Sequence, residues 1–466
     1  MFGINRGLFF YFTTRMLSRA AKGFKPPSWL LGEVRWACTW DKTSCNASQA
    51  YIDRELQYGA WNYAPLPVIV DRGLGAKVWD VTGKEYFDFI GGIGSVNQGH
   101  SHPKLVSTMV QQASKLSLTS RAFYNSVLGE YEEYITKLFG YDKVLPMNTG
   151  VEACDTAIKI ARLWGYTRKN VPKDQAMVLF PEQNYWGRSL AGISSSTNAL
   201  YTTGFGPMMP GFDLVPYDDL DSLEHKFQGN PHIVAFMLEP ILGEGGVIVP
   251  SDGYLKGVRN LCDKYDVLMI VDEVQTGLGR TGELLCHYHE KGVRPDLLTL
   301  GKALSGGMYP VSAVLGDDRT MMCLKPGSHG STFGGNPLGS QIAKAALEIL
   351  VEENIAGNAA KQGTKLRKAL EQLGQERPDR VKDIRGKGLL QCLELHRGPG
   401  DTPIAWDACL TMKEKGLITR PVSTDAIRLA PTCVISDHEM DASIKIITDT
   451  VHEMPLAWKI DGDAPQ

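Results

Sequence analysis

The chain has 466 residues, 43% hydrophobic and 22% charged, with 49 basic against 52 acidic side chains and a net charge of −3. That length and balance describe a soluble globular protein with a large core and room for two or three domains. They exclude the basic footprint of a nucleic-acid binder, and no apolar run reaches the ~18 residues that a membrane-spanning helix needs.

Residues 1–31 carry no acidic side chain but do carry Arg6, Arg15, Arg19, Lys22 and Lys25, interleaved with apolar residues such as Leu8, Phe9, Phe12 and Leu17. That composition reads either as an organellar transit peptide or as a disordered N-terminal extension. Nine cysteines are scattered from Cys38 to Cys433 without C-x-x-C pairing, which reads as reduced thiols. The H-x-H pairs His100/His102 and His287/His289 lack further ligands nearby and read as packing or hydrogen-bonding residues.

The run Met147-Asn-Thr-Gly150-Val151-Glu-Ala153 passes from a strand into a helix. Backbone N–H groups at such a helix start, beside a glycine, make an anion site suited to a phosphate. Short apolar runs at 176–180, 233–238, 267–271 and 297–300 read as buried strands, and 154–167 and 253–265 read as helices. Strand and helix alternating in this way predict an α/β domain with a mostly parallel sheet. After about Asn336 the texture changes to a long helical stretch, 338–373, broken near Asn354, and then Gly-punctuated strands around 388–395 and 427–430. That predicts a second, smaller α+β domain.

Several chemical residues stand at the ends of these runs. Asn184-Tyr185-Trp-Gly-Arg188 sets an aromatic face beside a guanidinium, suited to a flat ring and a carboxylate. The apolar run 267–271 ends in Asp272 and Glu273, so Asp272 lies where ligands bind in doubly wound sheets. A buried carboxylate there needs a partner, either a protonated ring nitrogen or a structural Arg. Lys302 follows the next run among small residues, where desolvation favours the neutral amine that attacks a carbonyl group. The motif Gly277-Leu-Gly279-Arg-Thr-Gly282 matches the dinucleotide fingerprint G-x-G-x-x-G, but five residues separate it from its strand, so it does not predict a nicotinamide site.

Taken together, the motifs Asn62-Tyr63-Ala-Pro-Leu-Pro67, Met147-Asn-Thr-Gly-Val-Glu-Ala153, Gly204-Phe-Gly-Pro-Met-Met-Pro-Gly211, Asp272-Glu-Val-Gln-Thr-Gly277, Gly301-Lys-Ala-Leu-Ser-Gly-Gly307 and His329-Gly-Ser-Thr-Phe-Gly-Gly-Asn-Pro337 resemble those of the class III (ω-amino acid) aminotransferases. Within that family they resemble most the members that act on ornithine, over about residues 51–451. The resemblance implies a fold type I pyridoxal 5'-phosphate (PLP) transferase. It implies an extension over 1–48, a segment 49–100 packing with the small domain, a large cofactor domain over 101–350, and a small domain with its tail over 351–466.

The resemblance also implies roles. Lys302 would attach the cofactor, Asp272 would pair with its ring nitrogen, Gln275 would contact its phenolic oxygen, and Tyr185 would stack on its face. Gly150 and Val151 would hold the phosphate, helped by Thr332 of the partner subunit in a homodimer. Arg188 with Tyr63 would clamp the α-carboxylate of ornithine. Glu244 would cover Arg428 until 2-oxoglutarate needs that guanidinium. Two positions depart from the ornithine pattern: Ile93 stands where a Tyr is usual, and Leu242 where a Gln is frequent. The first makes the pocket more apolar and implies, as an alternative, a broad ω-aminotransferase that also takes N-acetylornithine or 4-aminobutyrate. A catalytically silent dimeric scaffold on the same fold has no need of Lys302, Asp272 and Arg188 together. The compartment implied is the mitochondrial matrix or the cytoplasm.

Overall fold

The computed structural model describes residues 46–398 and 404–454. The basic N-terminal segment, Cys38 and Cys45 lie outside them. Two units divide between Ile69 and Val70. The first contains the helix Asn46–Tyr58. The second contains three sheets.

Three strands open the second unit: β1 (Val70–Leu74), β2 (Lys77–Asp80) and β3 (Glu85–Asp88). Seven follow: β4 (Lys143–Met147), β5 (Met177–Pro181), β6 (Phe212–Val215), β7 (Ile233–Leu238), β8 (Leu268–Asp272), β9 (Leu297–Leu300) and β10 (Ser312–Gly316). They form one sheet in the order β4-β10-β9-β8-β7-β5-β6. Neighbours among β5 to β9 pair in parallel, whereas β10 runs antiparallel to both β4 and β9. Six strands therefore share one direction, as the alternating pattern predicts, and the reversed strand is the one that pattern did not show. The last strands are β11 (Val381–Lys387), β12 (Leu390–Leu395), β13 (Leu417–Ile418), β14 (Arg420–Pro421) and β15 (Ala426–Leu429). β11, β12, β15 and β14 make an antiparallel sheet, and β13 instead pairs in parallel with β3.

The seven-stranded sheet is buried on both faces, which is why β7 reads as six uninterrupted apolar residues, all buried. Alternation divides each strand between two cores. In β8, Leu268 and Ile270 pack with Cys154, Ile158 and Trp164 of the helix Gly150–Thr167, and Met269 and Val271 pack with Leu255 and Val258 on the other side. The same alternation turns Asp272, which ends β8, toward the helix Gly150–Thr167.

Thr149 and Glu152 cap that helix reciprocally. The long helical stretch near the C-terminus is two helices, Pro337–Glu352 and Ile355–Glu376. The break is Asn354, whose φ of 49° lies in the left-handed region that Asn tolerates better than most residues.

Candidate active site

Chain segments that leave the carboxyl ends of β4, β5, β7, β8 and β9 meet at one edge of the sheet, where such folds bind ligands. Gly150 opens the helix after β4, where the helical pattern offers its N–H and that of Val151 no acceptor. Gly301 follows β9. A Cβ on Gly150 would lie 2.8 Å from Val274 Cγ1 and one on Gly301 3.2 Å from the same atom, so both positions keep room for the segment after β8. Val151 in turn packs against Gly187, which brings the Tyr185–Arg188 loop over the helix start.

Asp272 is 4% exposed and held by three donors. Val274 N–H and Thr299 Oγ1 donate to Oδ1 at 2.9 and 3.0 Å, and Cys154 Sγ donates to Oδ2 at 3.3 Å. Burial raises its carboxyl above the usual range, against the pull of these donors and of Lys302. Lys302 follows β9 with φ 44°, a left-handed conformation uncommon for a residue with a Cβ. Desolvation brings its ammonium down to about 8, with Glu244 opposing that shift and Arg428 adding to it. At pH 8 about half of this amine is neutral and nucleophilic.

Glu244, Gln275 and Arg428 form a second cluster. Arg428 Nη1 lies 2.5 Å from Glu244 Oε1, and Gln275 Nε2 donates to the same oxygen at 3.2 Å. Burial works against charge on Glu244, but Arg428 and Lys302 prevail and hold its carboxyl at about 2. Tyr185 is half-buried, its ring edge-on to Tyr201 at 5.8 Å, and the exposed Arg188 lies over the Tyr201 ring at 4.4 Å.

Ile93 precedes Gly94, where a Cβ would lie 3.8 Å from Gln275 Cγ. Ile93 is 38% exposed in the short turn Gly91–Gly94, with φ 58°. Thr332 is exposed on a loop whose Ser331 accepts a bond from Asn148 Nδ2 at 2.9 Å. Leu242 is buried. Tyr63 lies in the first unit and is 58% exposed.

The family model for "Aminotransferase class-III" matches residues 58–451. The chain belongs to the class-III aminotransferases. It is 56% identical over 407 residues to the mitochondrial ornithine aminotransferase of Drosophila melanogaster, covering 87% of this chain and 92% of that one. An ornithine aminotransferase structure from Toxoplasma gondii, described as having PLP at partial occupancy in its active site, superposes with a TM-score of 0.85 at 41% identity, covering 92% and 98% of the two chains. An acetylornithine aminotransferase structure from Elizabethkingia anophelis matches at 48% identity and a TM-score of 0.80, covering 87% and 99%.

The cofactor of this family is PLP, and the donor set fits it. A class-III aminotransferase needs an amine that is neutral at working pH, a carboxylate for a ring nitrogen and N–H donors for a phosphate. Lys302, Asp272 and the start of the helix Gly150–Thr167 stand at one sheet edge and could supply them. The G-x-G-x-x-G motif has another use: its Arg280, fully buried, donates to Asn97 Oδ1 at 2.5 Å, to Leu389 O at 3.0 Å and to Pro431 O. The H-x-H pairs are engaged too, His100 with Asp88 at 2.8 Å, His102 with Glu353 at 3.1 Å and His287 with Glu273 at 2.6 Å, and His289 lies 3.1 Å from Thr281 O.

Sequence reasoning passed over three groups in or beside the site. Cys154 and Thr299 reach Asp272 only because a helix and a strand distant in sequence converge on it. Glu239, 6% exposed, follows the apolar run of β7 just as Asp272 follows that of β8. That shared signature was the one available signal.

Proposed function

We propose that the chain transfers the δ-amino group of ornithine to 2-oxoglutarate, giving glutamate 5-semialdehyde and glutamate. The observation that carries this reading is the Glu244–Arg428 pair at 2.5 Å beside Lys302. A ping-pong transaminase must admit a diamino acid and then a dicarboxylate to one site. A guanidinium masked by a movable carboxylate serves both. The 56% identity to a relative named for ornithine supports the same substrate.

When bound, PLP supplies an electron sink for the pair left behind as a proton leaves the substrate carbon. Lys302 would hold the cofactor, and its Nζ, once free, would take that proton from one carbon and return it to another. Asp272, fixed by its three donors, would set a negative charge against the ring nitrogen. Tyr185 would cover one ring face and Gln275 would meet the phenolic oxygen. Gly150 and Val151 N–H would hold the phosphate, with Thr332 of the partner subunit. Arg188 would fix the α-carboxylate of ornithine, which sends the δ-amine toward Lys302. Glu244 would then leave Arg428 free to take the α-carboxylate of 2-oxoglutarate.

A homodimer is supported by exposed aromatic side chains: Phe123 is 73% exposed, and Tyr124 and Phe333 are also open. A mitochondrial setting is supported by the relative's name and by the acid-free, basic first 31 residues. No helix among the described residues is long and apolar enough to cross a membrane.

A broader ω-aminotransferase is favoured by Ile93 and by the likeness to the acetylornithine enzyme. The test is purified holoenzyme with ornithine and 2-oxoglutarate, both products being quantified. Equal amounts of glutamate and glutamate 5-semialdehyde are expected. Glutamate without the semialdehyde, or no turnover, would overturn the assignment.

A further inference from the structure

Glu239 has no part in the scheme above, yet it touches both halves of the site. It follows the six buried residues of β7, and strand alternation turns it to the same face of the sheet as Asp272. Its Oε1 accepts the N–H of Tyr185 and its Oε2 that of Gly243, each at 3.1 Å. Its backbone is also fixed, since Tyr217 Oη donates to Glu239 O at 3.1 Å and to Pro240 O at 3.0 Å. Gly243 immediately precedes Glu244 and is closed in on its other side, where a Cβ would lie 2.2 Å from Gln275 Oε1. One carboxyl group therefore spans the loop after β5 and the loop after β7.

We propose that Glu239 is a positioning residue that couples the seating of Tyr185 to the placement of the Glu244–Arg428 pair. The coupling rests on the site reading given above. A mere space-filler would serve equally well as Gln, which has nearly the same volume. Gln offers a single acceptor oxygen, however, and would set its own N–H₂ against one of the two backbone N–H groups. Burial, followed by the negative charge of Asp272, pushes the Glu239 carboxyl up to about 8, while the N–H groups of Gly243 and Tyr185 pull the other way because they favour the ionised, twofold-accepting form.

The test compares holoenzymes carrying Glu239→Gln and Glu239→Asp with the parent. The readouts are the visible circular dichroism of bound PLP, its dissociation constant on reconstitution of the apoenzyme, and single-turnover rates with amine and with oxo acid. With Gln, the dichroism changes, PLP binds about tenfold more weakly, and both half-reactions slow by at least about tenfold. Asp, one methylene too short to span both loops, does not restore them; a charge-only role would be rescued by it. Unchanged dichroism, PLP affinity and half-reaction rates with only a lowered Tm would overturn the proposal. If Glu239→Gln does not fold, Tyr217→Phe loosens the same anchor, and smaller shifts of the same sign are expected; no shift would overturn the proposal. The dichroism and PLP affinity do not depend on the amine, so they still decide the role of Glu239 if ornithine proves to be the wrong substrate.

Discussion

Arg428 Nη1 stands 2.5 Å from Glu244 Oε1 and 3.4 Å from Gln275 Oε1, so one buried guanidinium is met by a carboxylate and an amide from two different loops. Arg428 is 4% exposed. A cation so placed is costly without its partner, and breaking such a pair from one side typically costs ~3–5 kcal/mol. The pair can serve as a switch only if an incoming carboxylate replaces the one that departs.

Glu244→Ala should therefore separate the two half-reactions. The rate with ornithine falls by about tenfold or more, because Arg428 now competes for the α-carboxylate and turns the substrate end for end. The half-reaction with 2-oxoglutarate is retained or improved. Rapid-mixing absorbance of the bound cofactor reads each separately, and equal losses in both would contradict the switch.

Lys302→Ala should abolish turnover while the fold survives. A positioned acid–base group contributes about 10²–10⁴-fold, and loss of cofactor attachment adds to that. Steady-state rates beside a thermal melt check this; near-parent turnover would remove Lys302 from the mechanism.

The lowered ammonium of Lys302 makes a pH prediction for the apoenzyme. Its amine is neutral above about pH 8, against an ordinary lysine value of 10.5. Labelling of Lys302 by a small amine-reactive reagent, followed by mass spectrometry, should rise through pH 8 and level off above it. A rise that continues toward pH 10.5 would show that desolvation does not govern the site.

Ile93→Tyr adds a hydroxyl to the turn Gly91–Gly94. One net hydrogen bond is worth about 0.5–1.5 kcal/mol, so preference for ornithine over 4-aminobutyrate should rise by up to about tenfold. Ratios of kcat/KM measure it, and an unchanged ratio would remove Ile93 from substrate selection.

Glu273 lies beside Asp272 in sequence but does a different job. It is fully buried and accepts from Cys286 N–H at 2.6 Å, from His287 N–H at 2.9 Å and from the His287 ring at 2.6 Å. Glu273→Ala leaves these groups unpaired and should cost ~3–5 kcal/mol of stability with little change in substrate preference. A lowered Tm with parent-like kcat/KM ratios is the expected pattern.

Much of this was legible in the sequence because parallel strands buried on both faces are written as apolar runs. Runs at 233–238 and 297–300 match β7 and β9 residue for residue, and the break near Asn354 falls at its left-handed backbone. The placement of Asp272 and Lys302 at one sheet edge followed from the same runs. What stayed hidden depends on long-range pairing. Nothing local in Ser312–Gly316 shows that β10 runs backwards between β4 and β9, or that Leu417–Ile418 joins β3. Cys154 and Thr299 were missed for that reason, since each meets Asp272 only through the fold. Glu239 ends an apolar run as Asp272 does, and only its bonds to Tyr185 and Gly243 were hidden.

The most direct test of the central claim is single-turnover kinetics of the holoenzyme with ornithine, N-acetylornithine and 4-aminobutyrate. The account predicts that ornithine discharges the cofactor's visible absorbance at least about tenfold faster than either of the others. Comparable rates for all three would contradict it and identify the chain as a multi-substrate ω-aminotransferase.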